Sequence, residues 1–353
     1  MNGTQLDELL AEAADLRASD LHVIAGVPAA FRVNGDIIFA DDDALSTPEV
    51  SEMAYSILSS EQRDQFDREW EICISIPHKV AGRIRATLYR RNGHPELSIR
   101  FCGDHIPTRE QLGLPAKIDE LARKTNGLVL ITGPTGAGKT TTLNYMIDQI
   151  NSERRCKIVT VEDPIEFVHR NKRAIVVQQE VLTDTKSYNR ALIHVLRQDP
   201  DVIVVGEMRD HEAISAALTA AETGHLVLAT LHSPNVAHAF ERITGVFEGA
   251  AQRQIVLQLA NSLQGIIAQD LLPCADRSTR VLAYEMLIAN NAVRNLIREN
   301  NKHMLETAMQ TGGKDGMVLM DASIYDLYCR ALITYDTALS RARQPDRMVK
   351  RTS

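Results

Sequence analysis

Residues 127–150 read GLVLITGPTGAGKTTTLNYMIDQI, an apolar run, a glycine-rich turn and a helix-compatible stretch in unbroken order. Within it GPTGAGKT, residues 133–140, has the spacing of a phosphate-binding loop. The turn made by Gly133, Pro134, Thr135, Gly136, Ala137 and Gly138 is expected to face its backbone N–H groups inward around a phosphate. Lys139 would then reach the outer phosphates, the Thr140 hydroxyl would bind Mg²⁺, and Thr141 would follow in the first helical turn. A helix that starts directly after the loop aims its positive end at the same phosphates. The expected ligand is a nucleoside triphosphate with its magnesium ion.

Working outward, the 353 residues, 44% hydrophobic and 24% charged, suffice for two globular domains with separate cores. A net charge of -7 argues against a duplex-DNA binder, which carries a basic surplus, so no stable nucleic-acid partner is expected. Cys73, Cys102, Cys156, Cys274 and Cys329 are scattered without a Cys-x-x-Cys pair, which disfavours a zinc cluster and a secreted disulfide framework. The start MNGTQLDELLAEAADL has acids and periodic leucines in place of a basic leader and an apolar core. No run of about eighteen apolar residues occurs, so no transmembrane segment is expected. These features point to a cytoplasmic protein that meets a membrane only through partners.

Leu6, Leu9, Leu10, Ala13 and Leu16 recur at helical spacing behind Thr4 and Asp7, which resemble a capping box, so the chain should open with an amphipathic helix. Extended segments at 21–25 and 30–33 follow, with Asn34-Gly35 as a hairpin turn. Helical segments near 47–68 lead to strands near 71–76, 81–90 and 96–101. The glycines and prolines of CGDHIPTREQLGLP, 102–115, read as an interdomain boundary, giving an N-terminal domain over 1–102, a linker over 103–115 and a second domain over 116–353. In the second domain, apolar runs at 128–131, 158–161, 202–205 and 226–230 alternate with helical stretches at 138–150, 187–197 and 210–221. That is the pattern of an α/β fold, a parallel sheet covered on both faces. From about 235 the pattern is mainly helical, at 252–263, 291–299, 321–330 and 336–343, with Asp321 as an N-cap.

Triphosphate hydrolysis needs an acid for the metal shell, a group that orients water, and cations against transition-state charge. The run VIVV at 202–205 ends in Gly206-Glu207, which puts a carboxylate at the carboxyl edge of the sheet, and Glu207 is assigned to the magnesium shell. Glu162 closes the run at 158–161 in the same way and is assigned to polarising the attacking water; EDPIE, 162–166, also suits a turn that merely ends a strand. His232 should emerge at that edge near the γ-phosphate, with a purely structural role as the alternative, and His225 lies at the opposite end of the same strand. Arg83 and Arg85 alternate with Ile84 and Ala86, so both face one side of a strand, either solvated or, with Arg100, reaching nucleotide.

At this point the motifs resemble a known family. GPTGAGKT (133–140), EDPIEFVH (162–169), LRQDPDVIVVGEMRD (196–210) and TGHLVLATLH (223–232) are similar to the secretion ATPases of type II secretion and type IV pili. Within that group, SDLHVIAGVP (19–28), AVRNLIRE (292–299) and the ending DLYCRALITYDTALSRA resemble the PilT-type pilus retraction ATPases, over about residues 5–345. The resemblance implies a smaller PAS-like α+β N-terminal domain, a RecA-like P-loop ATPase domain, ATP and Mg²⁺ as cofactors, and a homohexameric ring that acts on an inner-membrane pilus platform protein. Carried over by position, Glu162 matches the acidic-box glutamate, Glu207 the Walker B glutamate, and His225 with His232 the histidine box. Arg83, Arg85 and Arg100 match N-domain arginines near nucleotide, Arg242 a further nucleotide-facing arginine, and 292–299 the motif linked to retraction. The chain departs from the family pattern at NGHPELS (92–98), at LHSPNVA (231–237) and at Asp270, where Arg or Lys is common.

The resemblance therefore implies a hexameric, ATP-hydrolysing motor for type IV pilus retraction. Assembly and type II secretion relatives usually carry a further N-terminal domain and a four-cysteine zinc insertion, which this sequence lacks. The alternatives are an accessory retraction paralogue, a type IV secretion ATPase, a non-hydrolytic regulatory ring and a DNA-translocating motor.

Overall fold

The structure, a computed structural model, describes residues 5–33, 35–79, 82–101, 106–276 and 279–348. Thr4 of the expected capping box, Asn34 of the expected turn, and Cys102 with residues 103–105 lie outside the described residues. Two compact units result: one takes in residues 1–105 and 164–168, the other 106–163 and 169–353.

In the first unit the strands are β1 (Asp20–Val23), β2 (Ala30–Val33), β3 (Asp36–Phe39), β4 (Glu71–His78), β5 (Gly82–Arg91) and β6 (His94–Phe101). They form a six-stranded sheet in the order β3-β2-β1-β6-β5-β4, every neighbouring pair antiparallel. Period-two alternation sets its faces: Ile84, Ala86 and Leu88 of β5 are buried, while Arg83, Arg85 and Thr87 lie on the other side. Helices α1 (Gln5–Asp15), α2 (Thr47–Ser56) and α3 (Ser60–Glu69) complete the unit, and Leu6, Leu10, Phe31, Phe66 and Ile99 share its core. The helical segments expected near 47–68 are α2 and α3, separated because Ser46 and Ser59 each found a capping box, with Glu49 and Gln62 respectively. Leu16 is exposed, because α1 stops at Asp15 and Arg17 turns the chain with φ 53. The arrangement is a smaller α+β unit built on an antiparallel sheet.

The second unit holds β7 (Gly127–Thr132), β8 (Lys157–Glu162), β9 (Ile175–Glu180), β10 (Val202–Val205), β11 (Leu226–Leu231), β12 (Leu263–Pro273) and β13 (Arg280–Ile288). Their order is β13-β12-β7-β11-β10-β8-β9, parallel from β12 to β9, with β13 antiparallel at the edge. The helices are α4 (Arg109–Leu112), α5 (Lys117–Ala122), α6 (Lys139–Glu153), α7 (Tyr188–Val195), α8 (His211–Glu222), α9 (Val236–Thr244), α10 (Gly249–Ser262), α11 (Asn291–Arg298), α12 (His303–Thr311), α13 (Met320–Cys329) and α14 (Tyr335–Arg341). Alternate strand residues feed two separate cores: Leu128, Leu130, Ile203 and Val205 enter one, Val129, Ile131, Val202 and Val204 the other. Both faces of the sheet are therefore covered, as in a RecA-like ATPase domain.

One reading is corrected here and two are filled out. The region beyond 235 is mainly helical, and it also holds β12 and β13, which extend the sheet. RVLAYEMLI is rich in helix formers, and its strand state is set by nine register pairs with β12, from Gly265↔Ile288 to Pro273↔Arg280. Asp321 is not an N-cap. Helix α13 starts one residue earlier with Leu319 at the cap, and the Asp321 carboxylate instead accepts the backbone N–H groups of Arg343 (2.9 Å) and Gln344 (2.8 Å). Within the expected linker, Thr108 and Gln111 form a capping box for α4, which Gly113 ends in the left-handed conformation, and this segment belongs to the second unit. No helix among the described residues is long and apolar enough to cross a membrane.

Candidate nucleotide site

Strands β7, β8, β10 and β11 run parallel and in register, so their carboxyl ends share one edge of the sheet. In open α/β sheets that edge is where ligands bind. The phosphate loop, Glu162, Glu207 and His232 all stand there because each follows or ends one of these strands.

The loop is shaped by its glycines. Gly133 has φ 148, and a Cβ there would lie 2.4 Å from the backbone oxygen of Gln269 on β12. Gly138, with φ 82, supplies the left-handed residue that admits α6 directly behind the turn. Lys139, the first residue of that helix, is 7% exposed. Its Nζ donates to the carbonyls of Gly133 (2.9 Å) and Pro134 (2.8 Å) and lies 3.3 Å from Nδ1 of His232. Burial lowers the lysine pKa, opposed by the charge of Glu207. An ammonium held by neutral acceptors inside a ring of glycine backbone is a receptor for an anion.

Strand ends are pinned around it. Thr132 Oγ1 donates toward the carbonyls of Leu231 (3.1 Å) and Ser233 (2.7 Å) and accepts the Ser233 N–H (3.0 Å), which fixes the bend carrying His232. His232 Nε2 then lies 3.4 Å from Oε1 of Glu207. Burial, first, and the charge of Lys139, next, hold the imidazole below its ordinary pKa; Glu207 opposes, and Arg242 and Arg209 add to the lowering. Arg242, exposed in the last turn of α9, is thereby placed within electrostatic reach of His232.

Glu207 is oriented from two further sides. Its Oε2 accepts from Nε of Arg209 (2.8 Å), whose Nη1 lies 3.3 Å from Oδ2 of Asp163. Its backbone N–H donates to the hydroxyl of Tyr188 (2.9 Å), and burial pushes ionisation of that hydroxyl far up. Glu162 is 7% exposed, and its Oε1 accepts from Thr160 Oγ1 (2.7 Å) and Gln178 Nε2 (3.0 Å). Sequence reasoning passed over Arg209, Tyr188 and Gln178. Only Arg209 carried a signal, since two residues after Glu207 on extended chain it points to the same side. The Thr140 hydroxyl and Glu207 carboxylate are hard oxygen donors of the kind Mg²⁺ selects. A magnesium ion held by them would supply charge neutralisation for the outer phosphates.

His225 does not join this cluster. It sits before the amino end of β11, its Nδ1 3.0 Å from the carbonyl of Ala220, and the strand carries His232 about 20 Å away. In the first unit Arg83 Nε donates to Ser75 Oγ (2.7 Å), Arg85 Nε to Cys73 Sγ (3.1 Å), and Arg100 Nε to Asp20 Oδ1 (2.9 Å). Arg85 and Arg100 are register partners on β5 and β6, so those two guanidinium groups rise from adjacent strands on one face. Asp270 forms an ion pair with Arg341 at 3.6 Å. Among the described residues no cluster of three metal-ligating side chains occurs.

Comparison with known proteins agrees with this geometry. Residues 3–324 match the family described as type II/IV secretion system protein. The chain is 40% identical to the type IV pilus retraction ATPase PilT of Pseudomonas aeruginosa, over 97% of this chain and 99% of that one. It is 36% identical to the type IV pilus ATPase PilU of the same organism, over 96% of this chain and 88% of the relative. The crystal structure of the pilus retraction motor PilT with bound ADP superposes with a TM-score of 0.91 at 42% identity, covering 98% of each chain. A phosphate loop with a buried lysine, acids at neighbouring strand ends and likeness along nearly the full length lead to one assignment: the chain belongs to the type II/IV secretion ATPase family, on its PilT-type branch.

Proposed function

We propose that this ATPase is a homohexameric motor that binds ATP with Mg²⁺ and uses its hydrolysis to retract type IV pili through an inner-membrane platform protein. The observation that carries the reading is Lys139, an ammonium lodged among loop carbonyls and His232, in a chain 40% identical over 97% of its length to a pilus retraction ATPase. In this reading Lys139 and the loop hold the phosphates, and Thr140 and Glu207 hold the metal. Glu162 polarises water, and His232 senses the γ-phosphate. Arg242, Arg83, Arg85 and Arg100 supply positive charge to nucleotide, the last three from the first unit. The protein works in the cytoplasm, held at the inner membrane by its partners.

The test is pilus retraction in a strain deleted for this protein and complemented with wild type or Lys139→Ala, alongside light scattering of the purified chain. Wild type is expected to restore retraction and Lys139→Ala to fail, with turnover lower by about two orders of magnitude or more. Normal retraction in the deletion strain, full activity of Lys139→Ala, or a stable monomer in the presence of nucleotide would each reject the reading.

A further inference from the structure

A path of hydrogen bonds through Asn144, the ring and backbone N–H of His169, and Gln178 runs from the phosphate-loop helix to the acid at the end of β8. Asn144, on α6, donates through Nδ2 to the carbonyl of Thr140 (2.8 Å). Its Oδ1 lies 2.7 Å from Nε2 of His169. The His169 backbone N–H donates to Oε1 of Gln178 on β9 (2.8 Å), and Gln178 Nε2 donates to Oε1 of Glu162 (3.0 Å). Asn144 is 1% exposed and His169 7%, so this is a path through the interior.

The protonation state of the path follows from its bonds. Asn144 spends its amide N–H on Thr140, so its oxygen faces His169, and only a protonated Nε2 satisfies it. Burial, first, pushes the His169 pKa down to about 4, with Asp148 opposing and Lys172 assisting. The ring is therefore neutral at neutral pH, with its proton on Nε2. Among the described residues Nδ1 has no hydrogen-bond partner. A buried acceptor left unbonded costs stability that an apolar side chain of similar size would not. Packing alone therefore does not account for an imidazole at this position.

Chain connectivity adds a second observation. Residues 164–168, between Asp163 and His169, belong to the first unit, so His169 is where the chain re-enters the ATPase unit. Glu162 and His169 bracket that excursion.

We propose that His169 is a positioning residue for hydrolysis: its imidazole, tied to Asn144, fixes the backbone whose N–H holds Gln178, and Gln178 in turn keeps the Glu162 carboxylate in register with the Thr140 turn of the phosphate loop. ATP would still bind the loop without it, but the acid that orients the attacking water would lose the fixed Gln178 contact and keep the one from Thr160. The inference rests on the reading of Glu162 given under the proposed function.

Steady-state ATPase assays and fluorescent-ADP titration of the full chain test it. His169→Ala is expected to lower kcat about ten-fold or more, with KM for ATP and ADP affinity within about two-fold of wild type. A glutamine amide reaches the position of Nε2, whereas an asparagine amide reaches that of Nδ1. His169→Gln should therefore recover kcat to within about three-fold, and His169→Asn should not. Gln178→Leu leaves the histidine in place and should show the same kcat loss, which keeps the test intact if His169 variants fail to fold. Equal turnover across the His169 series, wild-type kcat in Gln178→Leu, or losses that fall on nucleotide affinity instead of kcat would overturn the proposal. An inactive wild type would sink both this inference and the proposed function, while an active wild type with unaffected variants sinks this one alone.

Discussion

Lys139 Nζ lies 3.3 Å from Nδ1 of His232. An ammonium only donates, so Nδ1 is the bare nitrogen and Nε2 carries the proton that faces Glu207 Oε1 at 3.4 Å. Cation, neutral imidazole and carboxylate thus stand in series across the strand ends. A phosphate arriving at Lys139 competes with the imidazole for the ammonium, which is how occupancy of the loop can be felt at Glu207.

The pH profile follows from that contact. Burial and Lys139 hold the His232 pKa below its ordinary value, so the ring stays neutral to lower pH than a solvent-exposed histidine. Protonation as pH falls removes the acceptor that Lys139 uses and places two cations side by side. The acid limb of kcat/KM due to His232 should therefore lie below about pH 6.5. His232→Asn, whose amide oxygen replaces Nδ1, should lose that limb; a limb of unchanged position would assign it to another group.

Arg209 joins Glu207 and Asp163, two carboxylates from neighbouring strand ends. Exposed bridges of this kind usually contribute under about 1 kcal/mol to stability, so the effect should show in catalysis instead. Arg209→Ala is expected to lower kcat about ten-fold while leaving the thermal midpoint within a few degrees. Arg209→Lys should restore little, because a point charge cannot span both acids as the guanidinium fork does. Wild-type turnover in Arg209→Ala would reduce the bridge to surface decoration.

Two glycines of the loop should respond differently to alanine. At Gly133 the added Cβ would meet the Gln269 backbone oxygen at 2.4 Å, and φ 148 is a conformation that L side chains avoid. A loss of about 3 kcal/mol or more is expected, seen as a lower midpoint in chemical denaturation. At Gly136 nothing lies within 4 Å of the Cβ, and only φ 79 is unfavourable, for about 1–2 kcal/mol. Equal losses at the two sites would contradict the role given to the β12 backbone.

Arg294, within the AVRNLIRE segment, donates from Nη1 to the carbonyls of Ala260 (2.8 Å) and Asn261 (2.7 Å), closing the carboxyl end of α10. Burial lowers its pKa, and Arg298 adds to this. Arg294→Ala should destabilise the protein by roughly 2 kcal/mol, from lost charged hydrogen bonds and helix-end charge. ATPase activity per folded molecule should stay within about two-fold. A variant as stable as wild type would show that the helix end finds other partners.

The phosphate loop and β7, β8, β10 and β11 were legible in the sequence because a strand buried on both faces is a continuous apolar run with sharp ends. β9 escaped notice because IVVQQE has only half such a run, and β13 because its residues favour a helix in isolation. The acids at 162 and 207 and the histidine at 232 were legible as strand-end residues, since the rule for open sheets requires only chain order. His225 was not separable from His232 by motif alone, although strand length places the two at opposite edges of the sheet.

By itself the sequence determined the loop: glycines at fixed positions before a helix impose that turn wherever the chain goes. Tertiary structure alone decided which side chains meet there. Hydrogen bonds reach about 3 Å, and the sheet order β7-β11-β10-β8-β9 makes neighbours of residues far apart in the chain. Lys139 therefore finds His232 and Glu162 finds Gln178, while His225 is carried away along the same strand that delivers His232.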